Sequence, residues 1–462
     1  MRERSDSTPE GGGAPAVKGE WVSIFVGDDH PLLRLKRALD WAAITAVMVT
    51  HWRVAGKNVD GGPGLPWPVA LYVPLVVLMW LKSYHARQME EYLSESVVAR
   101  RFLELKVEHV QQIRDHSSIA RAEAALGAEG KAAVNALILK TAEQLQFTDR
   151  RTLSSDTTVQ EPAIGYPNEP GILKGLAERI ERALRKLRAR GVQAAREGIE
   201  KAQAVYRRVK HHQLFAKPTE EKKQVLAEIV QRSQELIGKT QEVLRQVSAR
   251  CGPVKQRAAA KLQHLVAVAH TLLPQIQHWM ATGKVATEKI IHAGLTAARA
   301  ITKGKGKVKF GMKWLIHRLR GGYLFGGRVA ARADENQMPQ EALQAYRQVF
   351  GAKATPQMSI YDRGASLAVA APKLQAEGVR KVGIPPRGQG AWLVGEKDQK
   401  VVKSERGKTE GSIGRLKSRK YSFSHRQERS LETQDAAGQR AIVSANLTTL
   451  VRDLVEQAKP AR

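Results

Sequence analysis

Three carboxylates far apart in the chain, Asp156, Asp362 and Glu410, stand in local sequence that suits the chemistry of a hard divalent cation. Cutting a phosphodiester uses cations about 4 Å apart, one activating the attacking oxygen and one stabilising the leaving oxygen. Magnesium takes oxygen ligands and keeps much of its water, so an Asp on one strand, an Asp on a neighbouring strand and a Glu on a helix suffice. Each residue alone has a plainer explanation. An acid such as Glu410, opening a helix that reads EGSIGRLK, complements the helix dipole, and an aspartate before Arg363 and Gly364 suits a turn.

The elements that must hold these residues can be read from residue periodicity. The β-branched run LSSDTTVQ predicts a strand centred near Asp156, closed by turns from Pro167 to Gly171. QMSIYD predicts a second strand ending at Asp362, and VRKVGIPP a third. KVKFGMKWLIHRL and YLFGGRVAAR read as two further strands joined at Gly321 and Gly322, as in a hairpin. Helices are expected from about Met338 to Phe350, from about Lys408 and from Gly438. Ahead of these, Pro31 to Leu145 has helical spacing, with Ser117 or Ser118 a plausible N-cap and Gly127 a plausible C-cap. Between the first two strands a helical stretch runs from Ile172 to about Ala300, marked by Leu176, Ile180, Leu184 and Leu187. The expected class is α/β, a mixed sheet with flanking helices, with an all-α domain before it and a long helical insertion after its first strand. The boundaries expected are a disordered tail at 1–30, helices at 31–147, the α/β domain at 148–172 and 303–456, and the insertion at 173–302.

Charge narrows the partners. The chain of 462 residues carries 75 Lys and Arg against 45 Asp and Glu, a net +30. From Lys174 to Arg320 there are 32 basic and 10 acidic residues, so most of the excess lies in that stretch. Such an excess fits a polyanion, because each neutralised phosphate releases counterions. A basic membrane-surface protein has the same composition. The apolar runs Trp41–Trp52 and Trp67–Leu81 fall short of the roughly 20 residues that span a bilayer. Pro68 and Pro74 interrupt the second, so both are expected as buried core helices with no membrane partner. Cys251 is the sole cysteine, which excludes a disulfide framework within the chain and fits a reducing cytoplasm. His211 and His212 are adjacent rather than at ligand spacing, so zinc is not expected. GKGK and GKTE lack the spacing of a nucleotide-phosphate loop, so ATP is not implied.

Taken with their contexts, the three carboxylates resemble those of the bacterial insertion-sequence transposases that carry a DDE triad on an RNase H-like fold. Asp156 is followed by a tyrosine-proline turn in DTTVQEPAIGYPNEPGIL, Asp362 sits in the motif Tyr361-Asp362-Arg363-Gly364, and Glu410 precedes Lys417 by seven residues in RGKTEGSIGRLK. Seven residues are two helical turns, so Lys417 shares a face with Glu410. KGKGKVKFGMKW and GQRAIVSANLTTL are similar to the family's second strand and closing helix, and LVVLMWLKSYHARQMEEYLSESVVARRFLEL to its N-terminal helical domain. The chain departs from the pattern at Asn168 and Glu169, where an aspartate is expected, and at Ala365, where an aromatic residue is usual.

The resemblance implies a transposase that hydrolyses DNA at the element's end and joins the freed 3′-hydroxyl to target DNA. It implies Mg²⁺ or Mn²⁺, two ions held by Asp156, Asp362 and Glu410. Lys417, Arg406, Arg415, Arg419 and Arg363 are expected to contact DNA. The implied partners are double-stranded DNA, as element ends and target, and further copies of the chain, at the bacterial nucleoid in the cytoplasm. A non-catalytic basic nucleic-acid-binding protein is the alternative, and metal-dependent cleavage discriminates between the two.

Overall fold

A computed structural model describes residues 27–59, 69–105, 115–215, 219–247, 251–303, 306–388, 390–424 and 430–459. Most of the expected 1–30 tail lies outside the described residues, as do Trp67 and Pro68.

Seven described helices lead the chain: α1 (Pro31–Ala38), α2 (Trp41–Val54), α3 (Val69–Lys82), α4 (Ala86–Glu95), α5 (Val97–Phe102), α6 (His116–Ala125) and α7 (Gly127–Gln144). Apolar residues occupy nearly every turn of α3, and nine of its residues are buried. Pro74 does not interrupt it, contrary to the expectation: the helix runs through the proline, and the packing of those buried side chains offsets one missing hydrogen bond. No single described helix is long and apolar enough to cross a membrane, although α3 and α4, bent at 101°, pass that test as a pair. The N-cap of α6 is Asp115 rather than Ser117 or Ser118. Its carboxylate accepts from the Ser117 backbone N–H at 2.8 Å and from the Ser118 hydroxyl at 2.6 Å, so the serines brace the cap. Gly127, just past the C-cap Leu126, takes the left-handed φ of 60° expected of it.

The sheet is mixed and has six strands: β1 (Thr152–Gln160), β2 (Arg299–Lys303), β3 (Lys307–Arg318), β4 (Leu324–Arg328), β5 (Met358–Ile360) and β6 (Lys381–Gly383). Its order is β2-β3-β1-β5-β6, with β4 also paired to β3. β1 therefore lies inside the sheet, antiparallel to β3 on one edge and parallel to β5 on the other. β3 is long enough to serve two partners besides β1, pairing with β2 through Lys307–Gly311 and with β4 through Trp314–Arg318. β2 was not expected. Its residues, RAITK, fall where the helical stretch was read as continuing, whereas the last insertion helix ends at Thr282 with Gly283 left-handed at φ 67°.

The insertion comprises α8 (Glu169–Arg188), α9 (Ala195–Phe215), α10 (Thr219–Gln246) and α11 (Pro253–Thr282). Their stripes bury against one another in a core that begins at Ile172 and includes Leu176, Ile180, Leu184 and Leu187. Asn168 caps α8 by accepting from the Gly171 N–H at 2.7 Å. After the sheet's hairpin come α12 (Met338–Phe350), α13 (Leu367–Ala376), α14 (Glu396–Leu416) and α15 (Leu431–Gln457). α14 and α15 start well before Lys408 and Gly438. The first turns of α14 are polar and bury only Val402, so periodicity does not reveal them.

α15 ties the layers together. It packs on α1, α3, α7 and β4, and the buried side chains of the N-terminal helices run without a break into those on one face of the sheet. Buried Asn446 accepts from the Leu324 N–H at 2.8 Å and donates to the Leu324 carbonyl at 2.6 Å and to Asn135 at 2.7 Å, joining α15, β4 and α7. Gly438 lies against the indole of Trp314, where a Cβ would collide, so only glycine permits the approach.

His317 on β3 is fully buried beside Phe325, with Nδ1 2.9 Å from the Ser155 hydroxyl. Burial pushes its pKa down from 6.5 to about 3. The folded protein keeps this imidazole neutral while the unfolded chain protonates it near 6.5, so its contribution is intact above pH 6.5 and is lost as the pH falls towards 3. Urea denaturation across that window should show a steeper loss of stability in the wild type than in His317→Gln, by up to about 1.4 kcal/mol per pH unit. Equal slopes would contradict the assignment.

Candidate active site

β1 is buried along most of its length, and Asp156 is a half-buried exception in its middle. On the parallel edge Thr152, Leu153 and Ser154 stand opposite Met358, Ser359 and Ile360. The same register carried two residues onward sets Asp362, just past the end of β5, beside Asp156. Neighbouring strands lie about 4.8 Å apart, so two residues remote in sequence meet at one end of the sheet. Both line a cleft of about 480 Å³ together with Thr158, Lys313, Glu335 and Gly364, while residues 300–302 of β2 form another wall.

The loop bearing Asp362 is fixed by its own hydrogen bonds. The Asp362 carboxylate accepts from the Gly364 N–H at 2.8 Å, and Arg387 donates to the carbonyls of Arg363 at 3.3 Å and Gly364 at 2.8 Å. A Cβ on Gly364 would stand 2.9 Å from Asp362 Oδ1 and 3.4 Å from Glu335 Oε2, so this glycine permits the close approach of two acids. Asn336 accepts from the Ser366 N–H at 2.7 Å and anchors the Glu335 segment to the same loop.

Glu335 and Lys313 were not singled out from the sequence. The Lys313 ammonium, nearly buried on β3, pairs with Glu335 at 2.7 Å, and the Tyr361 hydroxyl donates to the other Glu335 oxygen at 2.6 Å. A lysine inside the otherwise apolar strand GMKWLI was the available signal, since a buried cation calls for a buried partner. Burial raises the Tyr361 pKa far above 10, and Glu335, then Asp362 and Asp156, raise it further. Tyr361 is therefore a fixed donor to Glu335.

Glu410 is placed differently. It lies well inside the 21-residue α14 rather than opening a helix, so the capping explanation no longer applies. α14 crosses the sheet face that carries Ser154 and Asp156: the Thr409 hydroxyl lies 2.8 Å from that of Ser154, and Glu405 pairs with Arg318. At about 100° per residue, Glu410 stands roughly 140° around the helix from Glu405, on the flank of Arg406 and Lys417. Lys417, at the end of the helix, approaches Glu161, just past the end of β1 and five residues beyond Asp156, at 3.8 Å. The Glu410 side chain is 65% exposed, 4.0 Å from Arg406, and does not line the cleft.

The structure thus brings together Asp156, Asp362 and Glu335 and leaves Glu410 on an adjacent helix flank. Among the described residues, no three histidine, cysteine or carboxylate side chains are gathered closely enough to hold a metal ion. The two aspartates nonetheless fit magnesium, which takes one or two carboxylates and completes its shell with water and substrate phosphate. Of the expected DNA contacts, Arg363 and Arg419 are exposed. Arg415 is half-buried: its guanidinium reaches Thr449 at 3.2 Å and the Gly322 carbonyl at 3.5 Å, and burial lowers its pKa. It helps to pack α14 against α15.

Residues 21–124 match the family described as a transposase domain (DUF772). The matched segment takes in α1 to α5 and most of α6, and it supports a transposase. No curated protein and no solved structure matches the chain.

Tyr361→Phe removes the donor that orients Glu335. Unfolding free energy should fall by about 1.5–3 kcal/mol in urea denaturation, the range for a hydrogen bond to a charged partner. An unchanged midpoint would show that Lys313 alone holds Glu335.

Proposed function

We propose that the protein is a DDE transposase that cuts DNA at the ends of an insertion sequence and joins them to target DNA. The observation that carries this reading is the cleft shared by Asp156 and Asp362, aligned by the parallel register of β1 and β5. The strand succession β4-β3-β1-β5-β6, antiparallel on one side of β1 and parallel on the other, supports an RNase H-like domain. The transposase-domain match at residues 21–124 supports a role for the N-terminal helices in binding the element's terminal repeats.

Asp156 and Asp362 would hold Mg²⁺ or Mn²⁺ at the cleft, with Glu410, exposed on the adjacent helix flank, as the third carboxylate. Two such ions would lower the pKa of the attacking water and neutralise charge on the leaving oxygen. Lys313 and Tyr361 keep Glu335 engaged, so the acid beside the aspartates is already neutralised by a cation. Lys417, Arg406, Arg363 and Arg419 meet DNA phosphates, positioning the strand without reading its sequence. The protein acts as a homo-oligomer on double-stranded DNA.

Purified protein given Mg²⁺ or Mn²⁺ and DNA bearing its terminal repeats should nick or join that DNA. Asp156→Asn, Asp362→Asn and Glu410→Gln should each lower cleavage on the order of a thousandfold or more while DNA affinity stays within about threefold. Retained cleavage in any of the three removes that residue from the triad. Binding without cleavage by the wild type would leave the non-catalytic alternative.

A further inference from the structure

A second concavity, of about 1080 Å³, opens on the insertion and shares no lining residue with the aspartate cleft. One wall is a stripe along α8 and the turn after it, with Arg179, Arg182, Lys186 and Arg190 spaced by threes and fours so that they project on one side. The facing wall is the first part of α11, with Arg257 and Lys261, and Ser430 and Thr433 at the start of α15 close one end. Lys186, Arg190, Arg257 and Lys261 are exposed. No carboxylate is in the lining, and those close by are engaged. Glu181 is occupied by Arg185 at 2.6 Å, and Glu432 hydrogen-bonds Ser430 and feels Lys261 and His264. The cations outnumber them.

We infer that this groove is a binding site for the phosphate backbone of double-stranded DNA, separate from the cleft. Like charges are brought together along two packed helices at a cost in self-repulsion, and a polyanion relieves that cost. From Arg179 to Arg190 the stripe covers about 16 Å, the rise of roughly five base pairs, so it suits an extended run of phosphates rather than a single small anion. The apolar side chains in the lining are only Ala183, Ala189, Ala258 and Val254, too small to anchor a lipid surface. The choice of DNA as the polyanion rests on the proposed function, whereas the groove's cationic character does not.

Fluorescence anisotropy of a labelled random-sequence duplex of about 30 base pairs, over a range of salt, tests this. The variant Lys186→Gln/Arg190→Gln/Arg257→Gln/Lys261→Gln should bind at least about tenfold more weakly, with the slope of log affinity against log salt shallower by about three. Each half of it, Lys186→Gln/Arg190→Gln or Arg257→Gln/Lys261→Gln, should lose about half that slope, which keeps the test open if the fourfold variant does not fold. Arg190→Lys/Arg257→Lys, which retains charge, should keep the wild-type slope. A wild-type slope in both glutamine pairs would overturn the groove and leave the aspartate site standing. A variant that loses binding to anionic lipid vesicles while keeping its DNA slope would also overturn it. Failure of the wild type to bind DNA at all would instead defeat the proposed function.

Discussion

The parallel pairing of β1 with β5 is the constraint on which the rest of the molecule turns. A parallel pair cannot close by a tight turn, so the chain must leave β1, build other structure and return in register. The chain leaves through the whole insertion and the β2–β4 strands before β5 is laid down, and a slip of one residue in that pairing would turn one aspartate away from the other. β1 is held against such a slip on both edges, by β3 through seven paired positions and by β5 through three. The side chains around it reinforce the register: Ser155 meets His317, and Gln160 accepts from the Trp314 indole at 3.0 Å.

That arrangement separates two electrostatic tasks. The sheet end collects acids, and buried Lys313 neutralises one of them, leaving Asp156 and Asp362 at the cleft. The insertion collects cations on helices that have their own buried core, so a strongly basic surface is built without burdening the packing around the acids. The N-terminal helices take the opposite course. They share their core with one face of the sheet through α15, and the Asn135–Asn446 hydrogen bond lies at that junction. Movement of one layer would therefore be felt in the other.

Much of this was legible in the sequence because it is local. The β-branched residues around Asp156 mark β1, QMSIYD marks β5, and the apolar stripe of α8 marks the insertion. What escaped depends on residues distant in sequence. β2 is short and gains strand geometry only from β3, and Glu335 matters only because Lys313, 22 residues away, is folded onto it. The start of α14 was invisible because its first turns are polar and gain little from burial. That also misplaced Glu410 as a helix-opening acid, whereas its seven-residue spacing to Lys417 is a matter of helix geometry alone.

The proposed function requires Asp156 and Asp362, joined by strand register, to act together on a divalent cation. Mn²⁺ titration of the DNA-bound protein, followed by loss of the free-ion electron paramagnetic resonance signal, tests it most directly. The wild type should bind Mn²⁺ tightly, and both Asp156→Asn and Asp362→Asn should lose that binding, with Glu335→Gln nearly unaffected. Wild-type Mn²⁺ binding in either aspartate variant would contradict it.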